Sequence, residues 1–220
     1  MDVPTASQII SKDRVSEHGE VLTNQREVNA MLGLIQRETN RIESRFLEPA
    51  CGTGNFLAEI LERKLSVVDK CYRKSLVEWE RYAVLAVSSI YGIDILQDNV
   101  QHCRARLLQT FKARYDCRFN ASTKWRCIAA VRFILRCNII RGDTLAQSTV
   151  GAKPGHILLS EWTLISGGLL KRRTFTFRGL LARDQTAETT LVSDPVENLS
   201  SPNPAKEFAP VHFLELANAQ

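Results

Sequence analysis

The sequence predicts an α/β fold, because short apolar segments alternate with helical stretches and end at acidic residues. The first segment, residues 45–47, leads into an acidic residue, a turn with two glycines and then a helical segment. The second and third segments are residues 89–95 and 138–140, which end near Asp94 and Asp143. A strand, a tight glycine turn and a helix start form the first βα unit of a nucleotide-binding α/β fold.

The remaining elements follow from hydrophobic spacing. Apolar residues at i, i+3, i+4 and i+7 predict an amphipathic helix over residues 25–39. A crossover helix over residues 55–64 follows the glycine turn, and a second helical stretch covers about 66–88. Further helices are predicted at 99–115 and 121–136, and further strands at 156–160 and 174–177.

These elements predict three regions. Residues 1–44 form an N-terminal arm and helix, residues 45–185 the α/β domain, and residues 186–220 an extended or disordered tail. Prolines amid polar residues favour an irregular tail. Four of its apolar residues could dock it onto the body: Phe208, Val211, Phe213 and Leu214.

Composition is that of a globular chain. The 220 residues are 44% apolar and carry a net charge of +5, which suits a polyanionic partner. No apolar run approaches the roughly 20 residues that span a bilayer, and the polar N-terminus has no signal-peptide core. We therefore expect a cytoplasmic protein. The six cysteines and four histidines show no ligand spacing, so we expect reduced thiols and no metal.

The run Glu48-Pro49-Ala50-Cys51-Gly52-Thr53-Gly54-Asn55-Phe56-Leu57 is the most specific motif. It lacks the Gly-Lys-Ser/Thr ending of a phosphate-binding loop and the third glycine of the dinucleotide fingerprint. It resembles motif I of the S-adenosylmethionine-dependent DNA methyltransferases, in particular the adenine amino-methyltransferases of restriction-modification systems. The resemblance covers about residues 17–145 and implies a Rossmann-like class I methyltransferase fold.

The resemblance implies S-adenosylmethionine as cofactor. In that family the acidic residue and the glycine turn of motif I hold the methionine end of the cofactor. The residues expected to contact it are Thr23, Glu48, Pro49, Ala50, Cys51, Gly52, Thr53, Gly54, Asn55, Phe56, Asp94, Ile95 and Asp143.

Four of these residues lie outside motif I, and three of the four have a structural alternative. Asp94 could accept both ribose hydroxyls of the adenosine, or cap the next helix. Asp143 could accept a hydrogen bond from the adenine amine, or belong to a Gly-Asp turn. Thr23 ends a segment that resembles the one before motif I but lacks its proline. It could contact the cofactor or cap the helix at 25–39.

The catalytic motif of the resembled family, (Asp/Asn)-Pro-Pro-(Tyr/Phe), is absent. The strand at 156–160 occupies its expected place, and Ser160-Glu161-Trp162 then follow at the strand end. Glu161 could accept a hydrogen bond from an amine and Trp162 could stack on a flipped base. Alternatively, Trp162 packs in the core and Glu161 is solvated.

A basic cluster with interleaved aromatics offers a DNA contact: Lys171, Arg172, Arg173 and Arg178. Such a run can also be a solvated edge hairpin. The leading hypothesis is methyl transfer from S-adenosylmethionine to the exocyclic amine of adenine in DNA, with a specificity or restriction subunit as a possible partner. The alternatives are a catalytically impaired cofactor- or partner-binding module, and methylation of a small molecule or protein.

Overall fold

The computed structural model of this protein describes residues 23–181 and 203–218, and within them the α/β class is confirmed. The helices and strands in chain order are α1 Gln25–Leu34, α2 Gln36–Thr39, β1 Phe46–Glu48, α3 Asn55–Tyr72, α4 Leu76–Ser88, β2 Ile90–Asp94, α5 Gln97–Phe119, α6 Trp125–Asn138, β3 Ile139–Asp143, β4 Ser148–Thr149, β5 Leu158–Leu164, β6 Leu169–Thr176, β7 Lys206–Glu207 and β8 Val211–His212. Among these helices, none is long and apolar enough to cross a membrane.

The helical stretch predicted over residues 66–88 is two helices rather than one. α3 runs on to Tyr72, and α4 begins after Ser75. The Ser75 hydroxyl accepts a hydrogen bond from the Glu78 N–H at 3.3 Å. Serine satisfies a free N–H of the first helical turn in this way, so a new helix starts here although the hydrophobic spacing continues.

The first helix is capped by Asn24, not by Thr23. The Asn24 side chain accepts from the Glu27 N–H at 2.9 Å, and the Glu27 carboxylate accepts from the Asn24 N–H. This reciprocal pair is a capping box. The helix-capping alternative for Thr23 is therefore wrong.

Strands β1, β2 and β3 form a parallel sheet in that order. Leu47 lies opposite Tyr91, and Ile93 opposite Ile140. Helices α3 and α4 connect β1 to β2, and α5 and α6 connect β2 to β3, as parallel neighbours require long crossovers. Strand β4 pairs antiparallel with the end of β3. Within the described residues β1 pairs only with β2, so β1 forms an edge.

The two faces of β2 belong to different parts of the core. Ile90 packs in the main apolar cluster with the helices, and a Cβ at Gly92 would lie 2.9 Å from the Cys51 sulfur on that same face. Tyr91 and Ile93 point the other way, into a smaller apolar cluster. That cluster contains Ile157, Leu159 and Phe177 from the chain after β4. The parallel sheet therefore has helices on one face and the later chain on the other.

The expected fourth strand does not join the parallel sheet. It runs from Leu158 to Leu164 and pairs antiparallel with β6, which begins only five residues later at Leu169. Gly167 and Gly168, with φ of 72° and 79°, allow the tight reversal between them. A hairpin needs only such a turn, whereas a parallel strand needs a crossover of a dozen or more residues. The strand predicted over 156–160 is present, but it begins two residues later and runs on to Leu164 as one arm of this hairpin.

The described part of the tail is ordered against this hairpin. Strands β7 and β8 both pair antiparallel with β6. Phe213 is fully buried and Leu216 is 4% exposed, and both belong to the main core cluster. Residues 203–218 contain short extended strands, and Phe213 and Leu214 pack on the core, as expected if the apolar tail residues dock onto the body. Residues 1–22, 182–202 and 219–220 lie outside the described residues, together with the expectations made for them.

Candidate functional site

Three acidic side chains lie together at the carboxyl edge of the parallel sheet. Glu48, Asp94 and Asp143 are the last residues of β1, β2 and β3, and these strands are adjacent. In open α/β sheets ligands bind outside the carboxyl ends of the strands. The structure therefore brings the acidic residues of the three predicted cofactor-contact segments to one edge, which we name the carboxyl edge.

The glycine turn lies across this edge. Gly52 and Gly54 have φ of 50° and 84°, which side chains with a Cβ rarely adopt. The turn is held by the Cys51 N–H, which donates to the Ile93 carbonyl at 2.9 Å, and by the Gly54 N–H, which donates to the Cys51 carbonyl at 2.8 Å. Gly54 is the N-cap of α3 and offers no side-chain cap. The first N–H groups of α3 therefore remain available to a ligand.

Asp94 fastens the glycine turn to the end of β2. Its Oδ2 accepts from the Gly52 N–H at 2.8 Å, across 42 residues of sequence. Its Oδ1 accepts from the Leu96 N–H at 2.9 Å and from the Asn99 side-chain amide at 3.2 Å. A carboxylate offers about four lone-pair sites, so these bonds leave roughly one for a ligand hydroxyl.

Asp143 closes its own turn and lies beside motif I. Its Oδ1 accepts from the Leu145 N–H at 2.9 Å and from the Ala146 N–H at 3.0 Å, so the Gly-Asp turn is real. The Thr144 hydroxyl donates to the Pro49 carbonyl at 3.3 Å, which joins this turn to motif I. Oδ2 of Asp143 makes no further hydrogen bond within the described chain and can still accept one from a ligand amine.

Glu48 is the acidic residue of motif I and is half-buried at the end of β1. Burial raises the pKa of its carboxyl above the usual range, and a hydrogen bond from the Ala50 N–H partly opposes that change. A cationic ligand group beside Glu48 would favour the ionised carboxylate. Glu48 can therefore stabilise an ammonium group, such as that of a bound amino acid, more strongly than an exposed glutamate can.

The remaining predicted cofactor residues lie around the same edge. The Asn55 side-chain amide donates to the Thr23 carbonyl at 2.9 Å, which places Thr23 beside the start of α3. The Asn55 side-chain oxygen in turn accepts from Arg106 of α5. Ile95 follows directly after Asp94 and is 41% exposed. The last four residues all lie in the turn or at its helix: Pro49, Ala50, Thr53 and Phe56.

Glu161 and Trp162 lie at the opposite end of the sheet, in the middle of β5. The Trp162 indole N–H donates to Oδ1 of Asn138 at 2.9 Å, and Asn138 directly precedes β3. Glu161 forms ion pairs with Arg45, which precedes β1, and with Arg173 of β6. Five strand residues at about 3.3 Å each separate this end from the carboxyl edge, or roughly 16 Å. The prediction that they follow a strand end beside the cofactor is wrong, because β5 runs back across the sheet.

The predicted DNA-contact residues of β6 are largely engaged within the protein. Lys171 is ion-paired with Glu207 and Arg173 with Glu161. The Arg172 guanidinium lies 4.3 Å from the centre of the Phe208 ring, and its Nε donates to the Ser160 hydroxyl at 3.1 Å. Arg178, just after β6, is exposed. Lys171, Arg172 and Arg173 are therefore engaged along the hairpin, whereas Arg178 directly follows Phe177, which packs in one cluster with Ile93 of β2.

Three residues that the sequence did not single out support the carboxyl edge and its glycine turn. Asn99 holds Oδ1 of Asp94. A Cβ at Gly92 would lie 2.9 Å from both the Cys51 sulfur and Cδ1 of Leu57, so Gly92 lets the turn approach β2 closely. Cys103 lies under Gly54, where a Cβ would be 2.7 Å from its sulfur. Of these three residues, only Gly92 had a signal in the sequence, because a glycine inside an apolar strand can mark a close approach of another backbone.

The two buried thiols under the turn are unreactive in character. The neighbouring Cys103 thiol and burial both raise the pKa of Cys51. Within the described residues all six cysteines are free thiols, and no group of three or more histidine, cysteine or acidic side chains gathers as a metal centre would.

Comparison with known proteins does not identify a family for this chain. No family model matches the chain, and neither the curated proteins nor the solved structures contain a significant match. Any function proposed for the chain rests on its own residues and geometry.

Proposed function

We propose that this chain binds S-adenosylmethionine at the carboxyl edge of a Rossmann-like, methyltransferase-type sheet. The observation that carries the proposal is the hydrogen bond from Gly52 N–H to Asp94. It joins the glycine turn of motif I to the acidic end of the next strand, two features that are 42 residues apart. A nucleoside with a cationic amino-acid tail matches the chemistry of this edge.

Each acidic residue has a distinct part of the cofactor to bind. Asp94 retains about one acceptor site for a ribose hydroxyl, and a second hydroxyl would have to displace Asn99. Asp143 accepts from the adenine amine through Oδ2. Glu48 pairs with the methionine ammonium, and the exposed N–H groups of α3 face the methionine carboxylate.

The geometry favours a cofactor-binding module over a complete enzyme. Methyl transfer to an adenine amine needs acceptors aimed at its two hydrogens, close to the methyl group. Glu161, suggested as an acceptor for the amine, and Trp162, suggested to stack on the base, are engaged with other protein groups at the far end of the sheet. We therefore propose that a partner subunit supplies the acceptor groups for adenine methylation in DNA, and that this chain supplies the cofactor.

Calorimetric titration with S-adenosylmethionine tests the proposal. We expect micromolar binding to the unmodified protein, about −8 kcal/mol, and a roughly tenfold loss of affinity in Asp94→Asn. The amide of that variant keeps the size of the side chain but loses the charge and an acceptor. Asp116→Asn is the matched control, because Asp116 is an exposed residue of α5 whose side chain, among the described residues, accepts a hydrogen bond from Thr123.

Equal affinity in all three proteins would contradict the site, and no binding to a folded protein would contradict the function. A second experiment tests the alternative that this chain is a complete enzyme. The protein alone is incubated with tritiated S-adenosylmethionine and unmethylated duplex DNA. Incorporation of label into adenine without a partner would restore the leading hypothesis of the sequence.

A further inference from the structure

Four arginines form a basic surface on one side of the molecule. Arg104 lies on α5, Arg132 and Arg136 lie one turn apart on α6, and Arg141 lies on β3. The Arg104 guanidinium donates to the Arg136 carbonyl at 3.2 Å, so the two helices bring these side chains together. We name this group the α5–α6 basic surface.

Acidic side chains are few on these helices, and those of α5, Asp98 and Asp116, lie near its two ends. α6 contains no aspartate or glutamate, and α5 has none between residues 99 and 115. Arg104 donates to the Ile139 carbonyl at 3.0 Å and Arg141 to the Ile95 carbonyl at 3.2 Å. Carbonyl acceptors orient a guanidinium without neutralising it, so the surface keeps its positive charge.

Arg104 and Arg136 lie close enough for the charge of one to affect the other. Burial and the neighbouring Arg136 lower the pKa of Arg104, which is the response of a cation placed beside another cation. Arg132 and Arg136 are exposed. Their guanidinium groups can therefore reach a ligand without any rearrangement of the helices.

Several other described cations are instead paired with carboxylates. Arg114 and Arg118 pair with Asp69, Lys124 pairs with Glu80 and Arg126 with Glu215. The β6 cations that the sequence favoured as DNA contacts are likewise paired or stacked. To bind a cation in such a pair, a phosphate would have to displace the carboxylate, so these cations attract a polyanion less than unpaired arginines do.

The basic surface also begins beside the proposed cofactor site. Arg141 lies opposite Asp94 in the register of β2 and β3, and its guanidinium bonds the carbonyl of Ile95. The surface then continues along α5 to Arg104 and onto α6. A rod-like polyanion on this surface would therefore pass next to the carboxyl edge.

We propose that the α5–α6 basic surface binds the phosphate backbone of double-stranded DNA. The choice of duplex DNA as the ligand rests on the proposed function. The positions of the four arginines identify the surface that would bind it. Arginine forks match phosphate oxygens in pairs of hydrogen bonds. Arg132 and Arg136 are about 6 Å apart along the helix axis, which is similar to the distance between neighbouring phosphates of one strand.

Fluorescence anisotropy with a labelled duplex of about 20 base pairs tests this surface, since such a length exceeds the footprint of one module. The variant is Arg132→Gln with Arg136→Gln, and the matched control is Arg73→Gln with Lys74→Gln. The control residues are exposed at the end of α3, and their loss changes the net charge equally. Circular dichroism and thermal unfolding establish that both variants are folded.

We expect the surface variant to lose at least about tenfold in affinity at low salt, and its plot of log K against log salt to flatten by about two. The control should retain the affinity and slope of the unmodified protein. Equal losses in variant and control, or no loss in the variant, would overturn the proposal, as would tighter binding of single-stranded RNA than of duplex DNA.

Calorimetry with S-adenosylmethionine on the same proteins separates the two proposals. Cofactor binding with unchanged DNA affinity in the surface variant overturns the surface and leaves the function intact. DNA binding that depends on the surface, in a protein that binds no cofactor, supports the surface and overturns the function.

Discussion

Lys64 shows how one residue can link stability to pH in this protein. Its side chain is fully buried, and its ammonium nitrogen donates to the Ile42 carbonyl at 3.0 Å, to the Ser44 carbonyl and to the Ser89 hydroxyl. These acceptors lie just before β1 and β2, so Lys64 of α3 ties the amino ends of both strands together. Burial lowers the pKa of Lys64 from 10.5 to about 7.

We expect Lys64→Met to remove a pH dependence of folding. Between pH 7 and pH 10.5 the unfolded chain binds a proton at Lys64 that the folded protein does not, so this residue makes folding more favourable as pH rises. From pH 7 to pH 9 the free energy of unfolding should rise by about 2 kcal/mol more in the unmodified protein than in the variant.

Urea denaturation at pH 7 and pH 9 measures this change in the free energy of unfolding. Contributions from the other titrating groups cancel when the variant is subtracted from the unmodified protein. A constant difference would mean that Lys64 stays protonated in the folded protein over this range, as it does in the unfolded chain. The lost hydrogen bonds to Ile42, Ser44 and Ser89 would still lower the stability of the variant, but equally at each pH.

The glycine turn depends on Gly54 in two ways. Its φ of 84° is strained for any other residue, and a Cβ would be 2.7 Å from the buried sulfur of Cys103. We expect Gly54→Ala to lower the free energy of unfolding by about 2 kcal/mol and to weaken cofactor binding. Gly33→Ala is the control, because nothing lies within 4 Å of its Cβ position in α1. That substitution should stabilise the helix by roughly 0.5–1 kcal/mol. Similar effects of both substitutions in denaturation would contradict the close contact.

At the scale of elements, Asn138 joins the amino ends of β2 and β3 to the hairpin. Its side-chain amide donates to the Ser88 carbonyl at 3.1 Å and the Ile90 carbonyl at 3.0 Å, and its oxygen accepts from Trp162. The side chain is fully buried. The position of β5 over the sheet therefore depends on a polar contact that no hydrophobic pattern reveals.

Trp162→Phe tests whether this tryptophan is structural or catalytic. The phenyl ring keeps most of the packing but leaves Oδ1 of Asn138 buried without its donor, which should cost about 1–3 kcal/mol of stability. Cofactor affinity, measured by calorimetry, should stay within about twofold of the unmodified value, a change below 0.5 kcal/mol. A folded variant with normal stability but no methyl transfer in the presence of its partner would instead point to base stacking by Trp162.

The elements differ in how far local sequence predicts them. The strand–turn–helix unit at residues 45–64 is local, because glycines, an acidic strand end and helical spacing act within one stretch of chain. The position of residues 158–164 is not local, since their apolar character suits a parallel or an antiparallel strand equally. The short reversal at Gly167 and Gly168 decides between the two.

At the scale of the whole molecule, charge and layers are arranged unevenly. Helices cover one face of the three-stranded parallel sheet, and the β5–β6 hairpin with residues 203–218 covers the other side and its amino end. Acidic side chains gather at the carboxyl edge, whereas unpaired arginines lie on α5 and α6 beside it. A cationic small ligand and a polyanion would therefore bind at adjacent places without competing.

The sequence by itself determined the α/β class, the first βα unit and the three acidic strand ends. Each depends on neighbours in the chain: a glycine turn, a period of apolar residues or a polar residue that ends a strand. Tertiary structure alone decided which cations remain unpaired, because Lys171, Arg173 and Arg114 find carboxylates 36, 12 and up to 52 residues away. It also decided that Glu161 and Trp162 lie far from the carboxyl edge. Pairing across such separations depends on the direction in which β5 returns over the sheet, and that direction has no signature in a local run of residues.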